Sequence, residues 1–418
     1  MSLSRRRFLS VSGAAMAAAA THRFAQGCLP PPPDPNELVA GNTAFALDLY
    51  GKLAAEPGNL FLSPFSISTA LAMTSAGARN KTLDEMNKVL HLPENPHPAF
   101  SQLSTRVFAI GQDIKRPYDL TMANAIWAQQ GFPWRDEFKE LTQKHYGAGL
   151  AETDFAKSEA ARAAINDWVK KETRDKVKDL IPTGVINALT RMVLANAVYF
   201  KGDWASQFKK DLTKEQDFHV TNDKTVKVPL MEQTGTFGYT EEIYDFQSRA
   251  GDAVQLLELP YDGGDLSMVF LLPERRALAT LERQLSAKKL DEWIKALRKQ
   301  KVKVQVPRFK FEMAKPLSLN QPLQALGMKD AFDDLNADFT GLHTGKEILF
   351  ISHVLHKAYV EVNEQGTEAA AATSVIIKER AAAPRETVFR ADRPFLFLIR
   401  ENKTGGILFL GRMTNPRE

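Results

Sequence analysis

Ile67, Ala70, Leu71 and Thr74 recur at helical spacing directly after Ser63-Pro64. Ser63 reads as an N-cap, Pro64 as the first helical residue and Gly77 as the stop. Ala161, Ala164, Ile165, Trp168 and Val169 predict a second amphipathic helix, which runs into the charged stretch Lys170–Lys178, read as a solvated face. Val193–Phe200 is almost continuously apolar, as in a strand covered on both faces, and Asn196 inside it needs hydrogen-bond partners. Leu266–Leu272 reads as another apolar strand, stopped by Pro273. Val302, Val304 and Val306 alternate with Lys301, Lys303 and Gln305; past Pro307 the apolar parity moves to Phe309, Phe311 and Met313. One inserted residue does this, so a bulge is expected at Pro307. Leu349–Ile351, Ala358–Val362 and Phe395–Ile399 read as further strands. Helices fall mainly early and strands mainly late, which argues for an α+β fold rather than regular alternation.

Charge changes the picture once the N-terminus is set aside. The 418 residues carry a formal charge of +4, but residues 1–27 hold four arginines and no acid; without them basic and acidic residues balance at 50 each. A nucleic-acid partner argued from bulk charge therefore fails. Ser4-Arg5-Arg6-Arg7-Phe8-Leu9-Ser10 fits a twin-arginine export signal, followed by an Ala-rich run to Ala20 too short to span a bilayer. That signal implies a prokaryotic cell and export of an already folded protein. Cys28, the sole cysteine, excludes an intramolecular disulfide. It follows Ala25-Gln26-Gly27 and precedes a proline run, the setting of a lipid-attachment site on a stiff tether at 28–36. Cleavage after Ala18-Ala19-Ala20 is the competing reading.

Candidate chemistry is thin. There is no G-x-S-x-G elbow, and Gly341–Lys346 lacks the phosphate-loop spacing. The eight histidines form no ligand cluster; His353 and His356, three apart in a strand, point to opposite faces. No nucleophile–base pair and no cofactor motif stands out, so an enzyme, such as an uncharacterised hydrolase, is the weaker class. One stretch is unusual: Glu364-Gln365-Gly366-Thr367-Glu368-Ala369-Ala370-Ala371-Ala372-Thr373, small and proline-free, placed after a strand.

That stretch resembles the hinge of the serpins, the serine protease inhibitor family. The resemblance runs from about Asn36 to Pro416. Asn59–Ile67 is similar to the family's SPxSI helix start and Asn196–Trp204 to its NAxYFKGxW strand. His356-Lys357-Ala358 leads into the hinge, and Ala391–Phe397 is similar to the C-terminal signature, with Arg393 where histidine is commoner. The resemblance implies a single domain over 37–418 with a large mixed central sheet, further sheets, about eight or nine helices and an exposed reactive-centre loop. It further implies that Ser63, Ser66, Asn196 and His356 form a hydrogen-bonded cluster holding two central strands closed. Trp204 would lie near the top of the sheet, where the loop first enters.

In the family the residue before the scissile bond usually lies sixteen positions after the hinge glutamate, here Arg380-Ala381. Arginine there suits trypsin-like proteases, whose primary pocket holds a carboxylate; Lys378 is the alternative site. Taken as a strand, residues 367–377 put Thr367, Ala369, Ala371, Thr373, Val375 and Ile377 on one small, apolar face. Glu368 and Lys378 lie on the other, so the segment has the pattern of an insertable strand. The expected function is suicide-substrate inhibition: a covalent acyl-enzyme with a trypsin-like serine protease, trapped by loop insertion. A non-inhibitory serpin-fold binding protein and a cysteine protease inhibitor remain alternatives. A monomer is expected, located in the periplasm, outside the cell or on the envelope, with a lipid on Cys28 as its sole membrane attachment.

Overall fold

The computed structural model describes residues 34–108, 116–147, 150–245, 252–274, 278–366 and 386–418. The first half runs α1 (Pro35–Leu53), β1 (Leu60–Leu62), α2 (Pro64–Ser75), α3 (Asn80–Leu90), α4 (His97–Phe108), β2 (Tyr118–Gln129), α5 (Asp136–Tyr146), β3 (Leu150–Thr153), α6 (Ser158–Glu172) and β4 (Met192–Gly202). It continues β5 (Lys214–His219), β6 (Thr225–Asp245), β7 (Asp252–Pro260), β8 (Leu266–Pro273), α7 (Leu278–Gln284), α8 (Ala287–Ala296), β9 (Arg298–Pro307) and β10 (Phe309–Glu312). Last come β11 (Leu317–Ser318), α9 (Asn320–Leu326), β12 (His353–Val362), β13 (Thr387–Arg390), β14 (Phe395–Glu401) and β15 (Ile407–Met413).

These strands form two sheets. The larger has nine strands in the order β1-β15-β14-β8-β7-β6-β9-β13, with β5 on β6. The other has six, β10-β12-β4-β2-β3, with β11 also on β12. This six-stranded sheet is mixed: β4 pairs antiparallel with β2 but parallel with β12, from His353↔Val193 to Val360↔Phe200. The continuous apolar run of β4 follows from burial on both faces. Val193, Ala195, Ala197 and Tyr199 pack with Ile165 and Val169 of α6, while Leu194, Val198 and Phe200 join the larger core on the opposite face. Every residue of α2 is buried, and most of its hydroxyls turn to backbone carbonyls of the same helix, as Thr69 does to Phe65 at 2.6 Å.

Five expectations are corrected. No bulge forms at Pro307: the chain leaves the nine-stranded sheet there and enters the six-stranded sheet one residue later, after Arg308. The parity shift marks a change of sheet, and each half buries its own apolar set. Leu349 and Ile351 are buried, but they form no strand; the Ile351 N–H donates to Ala331 O at 2.9 Å instead. Gly77 does not end α2 by turning left-handed; a Cβ there would meet Leu342 Cδ2 at 1.9 Å, so close packing selects it. Finally, α1 starts at Pro35, capped by Asp34, inside the segment read as tether. Ala164 is also exposed, although its helix neighbours Ala161 and Ile165 are buried.

Candidate functional site: the parallel seam and its hinge

Three polar residues meet across adjacent strands of the six-stranded sheet. Register places Asn124 of β2 opposite Asn196 of β4, and Asn196 beside His356 of β12. All three lie on the face toward α2, where Ser63 caps the helix by accepting the Ser66 N–H at 3.2 Å. The Ser63 N–H donates to His356 Nε2 at 3.1 Å, so the ring proton sits on Nδ1 and is donated to Asn196 Oδ1. The Asn196 amide donates to Ser66 Oγ at 2.6 Å and to Asn124 Oδ1; Asn124 Nδ2 donates to Ser66 O at 3.1 Å. Ser63 Oγ donates at 2.6 Å to Leu408 O on β15, tying the cluster to the nine-stranded sheet. The fold thus brings Ser63, Ser66, Asn196 and His356 into one hydrogen-bonded group. Asn124 was missed: in sequence it is one amide in a strand, and only the register with β4 gives it a role.

His356 is fully buried, and loss of solvation pushes its pKa down to about 3. In the unfolded chain the ring would titrate near its ordinary value, about 6.5. The folded state therefore binds this proton less tightly than the unfolded state. The stability carried by neutral His356 is fully present above about pH 6.5 and is lost as pH falls towards 3. Protonation would also set an N–H at Nε2 against the Ser63 N–H. We expect the melting temperature of the intact protein to fall between pH 7 and 4. His356→Gln should lower it at pH 7 but flatten the acid slope by one proton; equal slopes would contradict this assignment.

The hinge begins where the seam ends. Trp204 stacks on Tyr261, centroids 4.5 Å apart at 12°, and its Nε1 donates to Asn363 O at 2.9 Å. The Trp204 N–H donates to Gln365 O at 3.2 Å and the Phe208 N–H to Glu364 O at 2.8 Å. Glu364 is buried and its carboxylate lies 3.5 Å from the Arg308 guanidinium. Gly366 has φ of 75°, and a Cβ there would approach Trp204 N to 2.2 Å, so both conformation and space demand glycine. Arg393 donates through Nε to Pro273 O at 2.8 Å and pairs with Asp392 at 3.0 Å. Hinge residues Thr367–Thr373, Lys378, the Arg380-Ala381 bond and Cys28 lie outside the described residues.

Chemically, the seam cluster is a set of hydrogen-bonded buried polar groups bridging three strands, one helix and the second sheet. Among the described residues no group of three or more His, Cys, Asp or Glu side chains is placed to hold a metal ion. The family model described as serpin (serine protease inhibitor) matches residues 40–416. The chain belongs to the serpin family. Most of the relatives it matches are serine protease inhibitors, and the two sheets and nine α-helices among the described residues are the serpin fold. The leukocyte elastase inhibitor of Sus scrofa is 43% identical over 394 residues, covering 91% of this chain and 100% of that protein. A serpin-like protein of Thermococcus kodakarensis is 41% identical, covering 91% and 86%. The crystal structure of native protease nexin-1 with heparin superposes with a TM-score of 0.81 at 29% identity, covering 92% and 100%.

Proposed function

We propose that this serpin is a suicide-substrate inhibitor of trypsin-like serine proteases, made by a prokaryote and exported to its envelope. The protease attacks the Arg380-Ala381 bond and forms an ester between its serine and the Arg380 carbonyl, releasing the Ala381 amine. The freed segment then enters the six-stranded sheet before water resolves the ester. The reading is carried by one observation: the start of the hinge, Glu364-Gln365, is held against Phe208 and Trp204 at the end of the seam where two long strands of that sheet, β4 and β12, run parallel. A segment that leaves β12 and turns back runs antiparallel to both neighbours, so each of its N–H and C=O groups finds a partner. The residues on its inward face are small or apolar and contain no proline.

Export by the twin-arginine route suits such a molecule, because it leaves the cell already folded; a lipid on Cys28 would hold it at the surface. The working unit is a monomer that needs no cofactor. The test is direct. Mixed with trypsin, the protein should give a covalent complex that survives denaturing gels, and mass spectrometry should place the acyl linkage on Arg380. Cleavage with no such complex would make it a substrate only, and linkage at Lys378 would move the reactive bond.

A further inference from the structure

Lys176 lies in the turn after α6, on the sheet face opposite the Ser63–His356 cluster. Its Nζ stands 5.8 Å from the Tyr199 ring centroid and 6.0 Å from that of Tyr359. Those tyrosines are direct register partners across the β4–β12 seam, with centroids 5.5 Å apart. The charged stretch read as a solvated face therefore carries one side chain committed to the seam. The backbone around it is unusual: Arg174, Asp175 and Asp179 have φ of 50°, 64° and 50°, left-handed values that non-glycine residues adopt only at a cost. The turn is tied down on both sides. The Arg174 guanidinium pairs with Asp119 of β2 at 2.5 Å, and Lys357 of β12 donates to Lys178 O at 2.7 Å.

We propose that Lys176 is a clasp on the seam, a positioning residue that sets how fast the loop segment enters the sheet. The inference rests on the insertion reading above. Its physical basis is a difference between two states. In the closed sheet β4 and β12 are one strand spacing apart, about 4.8 Å, and one ammonium reaches both ring faces. An inserted strand doubles that spacing and stands between the tyrosines, so Lys176 keeps one ring at most. A contact present before opening and absent afterwards biases the equilibrium, and the barrier, towards the closed sheet. Lys310 also sits over Tyr359, at 5.2 Å, but it belongs to β10, on the same side of the seam as β12. Its contact survives opening and provides the internal control.

A synthetic peptide matching residues 367–379 is the probe, added to the intact protein. Lys176→Met should take it up about three- to tenfold faster than the parent, the size expected of an exposed ammonium acting on two rings. Its intact form should melt earlier than the parent's, and its loop-cleaved form at the same temperature. Lys176→Arg should restore the parental rate, and Lys310→Met should leave the rate unchanged. Uptake by Lys176→Met at the parental rate, or equal melting losses in intact and cleaved forms, overturns the clasp. A parent that takes up no peptide and gains no stability on cleavage overturns insertion itself, and the clasp with it.

Discussion

Replacing Thr367 by arginine is expected to turn the inhibitor into a substrate while leaving the melting temperature of the intact protein unchanged. Thr367 leads the small, apolar face of the segment, so it is the first side chain that insertion must bury. A guanidinium there has no partner in the apolar set that follows, and burying it costs at least ~3 kcal/mol. Placed on the insertion barrier, that penalty slows insertion about 100-fold. Deacylation is untouched, so nearly every encounter should end in cleaved product instead of trapped protease. The measurement is the ratio of covalent complex to cleaved inhibitor on denaturing gels against trypsin. If the variant traps protease as well as the parent, insertion is not the working step.

Cleavage of the loop by an unrelated peptidase should raise the melting temperature by about 10 °C or more. The seam offers eight register pairs, from His353↔Val193 to Val360↔Phe200. A strand placed between them replaces one ladder with two, and each net hydrogen bond is worth ~1 kcal/mol. Burial of Val375, Ile377 and the alanines adds to this. For a chain of this size each kcal/mol moves the midpoint by about 1–2 °C. Calorimetry of intact and nicked protein at one pH settles the point. A nicked form that melts no later than the intact one would mean that the closed sheet stores nothing to release.

The acid sensitivity of His356 and the clasp at Lys176 act on the same seam from opposite faces. One is a neutral ring that must stay neutral to accept the Ser63 N–H; the other is a cation over two rings, one of which the proposed strand insertion would take from it. Under the proposed mechanism both favour the closed sheet without taking part in any reaction, as an inhibitor waiting for its protease requires.

Much of this was readable along the chain. The uniform apolarity of Val193–Phe200 and Leu266–Leu272 announced strands buried on both faces, and Ser63-Pro64 announced a capped helix, because burial and capping leave local marks. The misreadings share a different cause. At Pro307 a one-residue parity shift is the same in sequence for a bulge and for a chain crossing between sheets, and only the partners of β9 and β10 separate the two. Leu349 and Ile351 are buried like strand residues, yet no neighbouring strand reaches them.

The order of the chain was enough to mark most of the helices and strands and the small composition of the hinge, since each depends on residues close together in sequence; the candidate bond at Arg380-Ala381 came instead from the spacing that the family resemblance implies. The neighbours were settled by folding. That β4 lies parallel to β12, that Asn124 completes the cluster, that Gly366 is pressed against Trp204 and that Lys176 bridges Tyr199 and Tyr359 are contacts across large sequence separations. An amide or a lysine carries no local sign of the partner it will meet, because that partner is chosen by strand register and packing, which only the assembled sheets define.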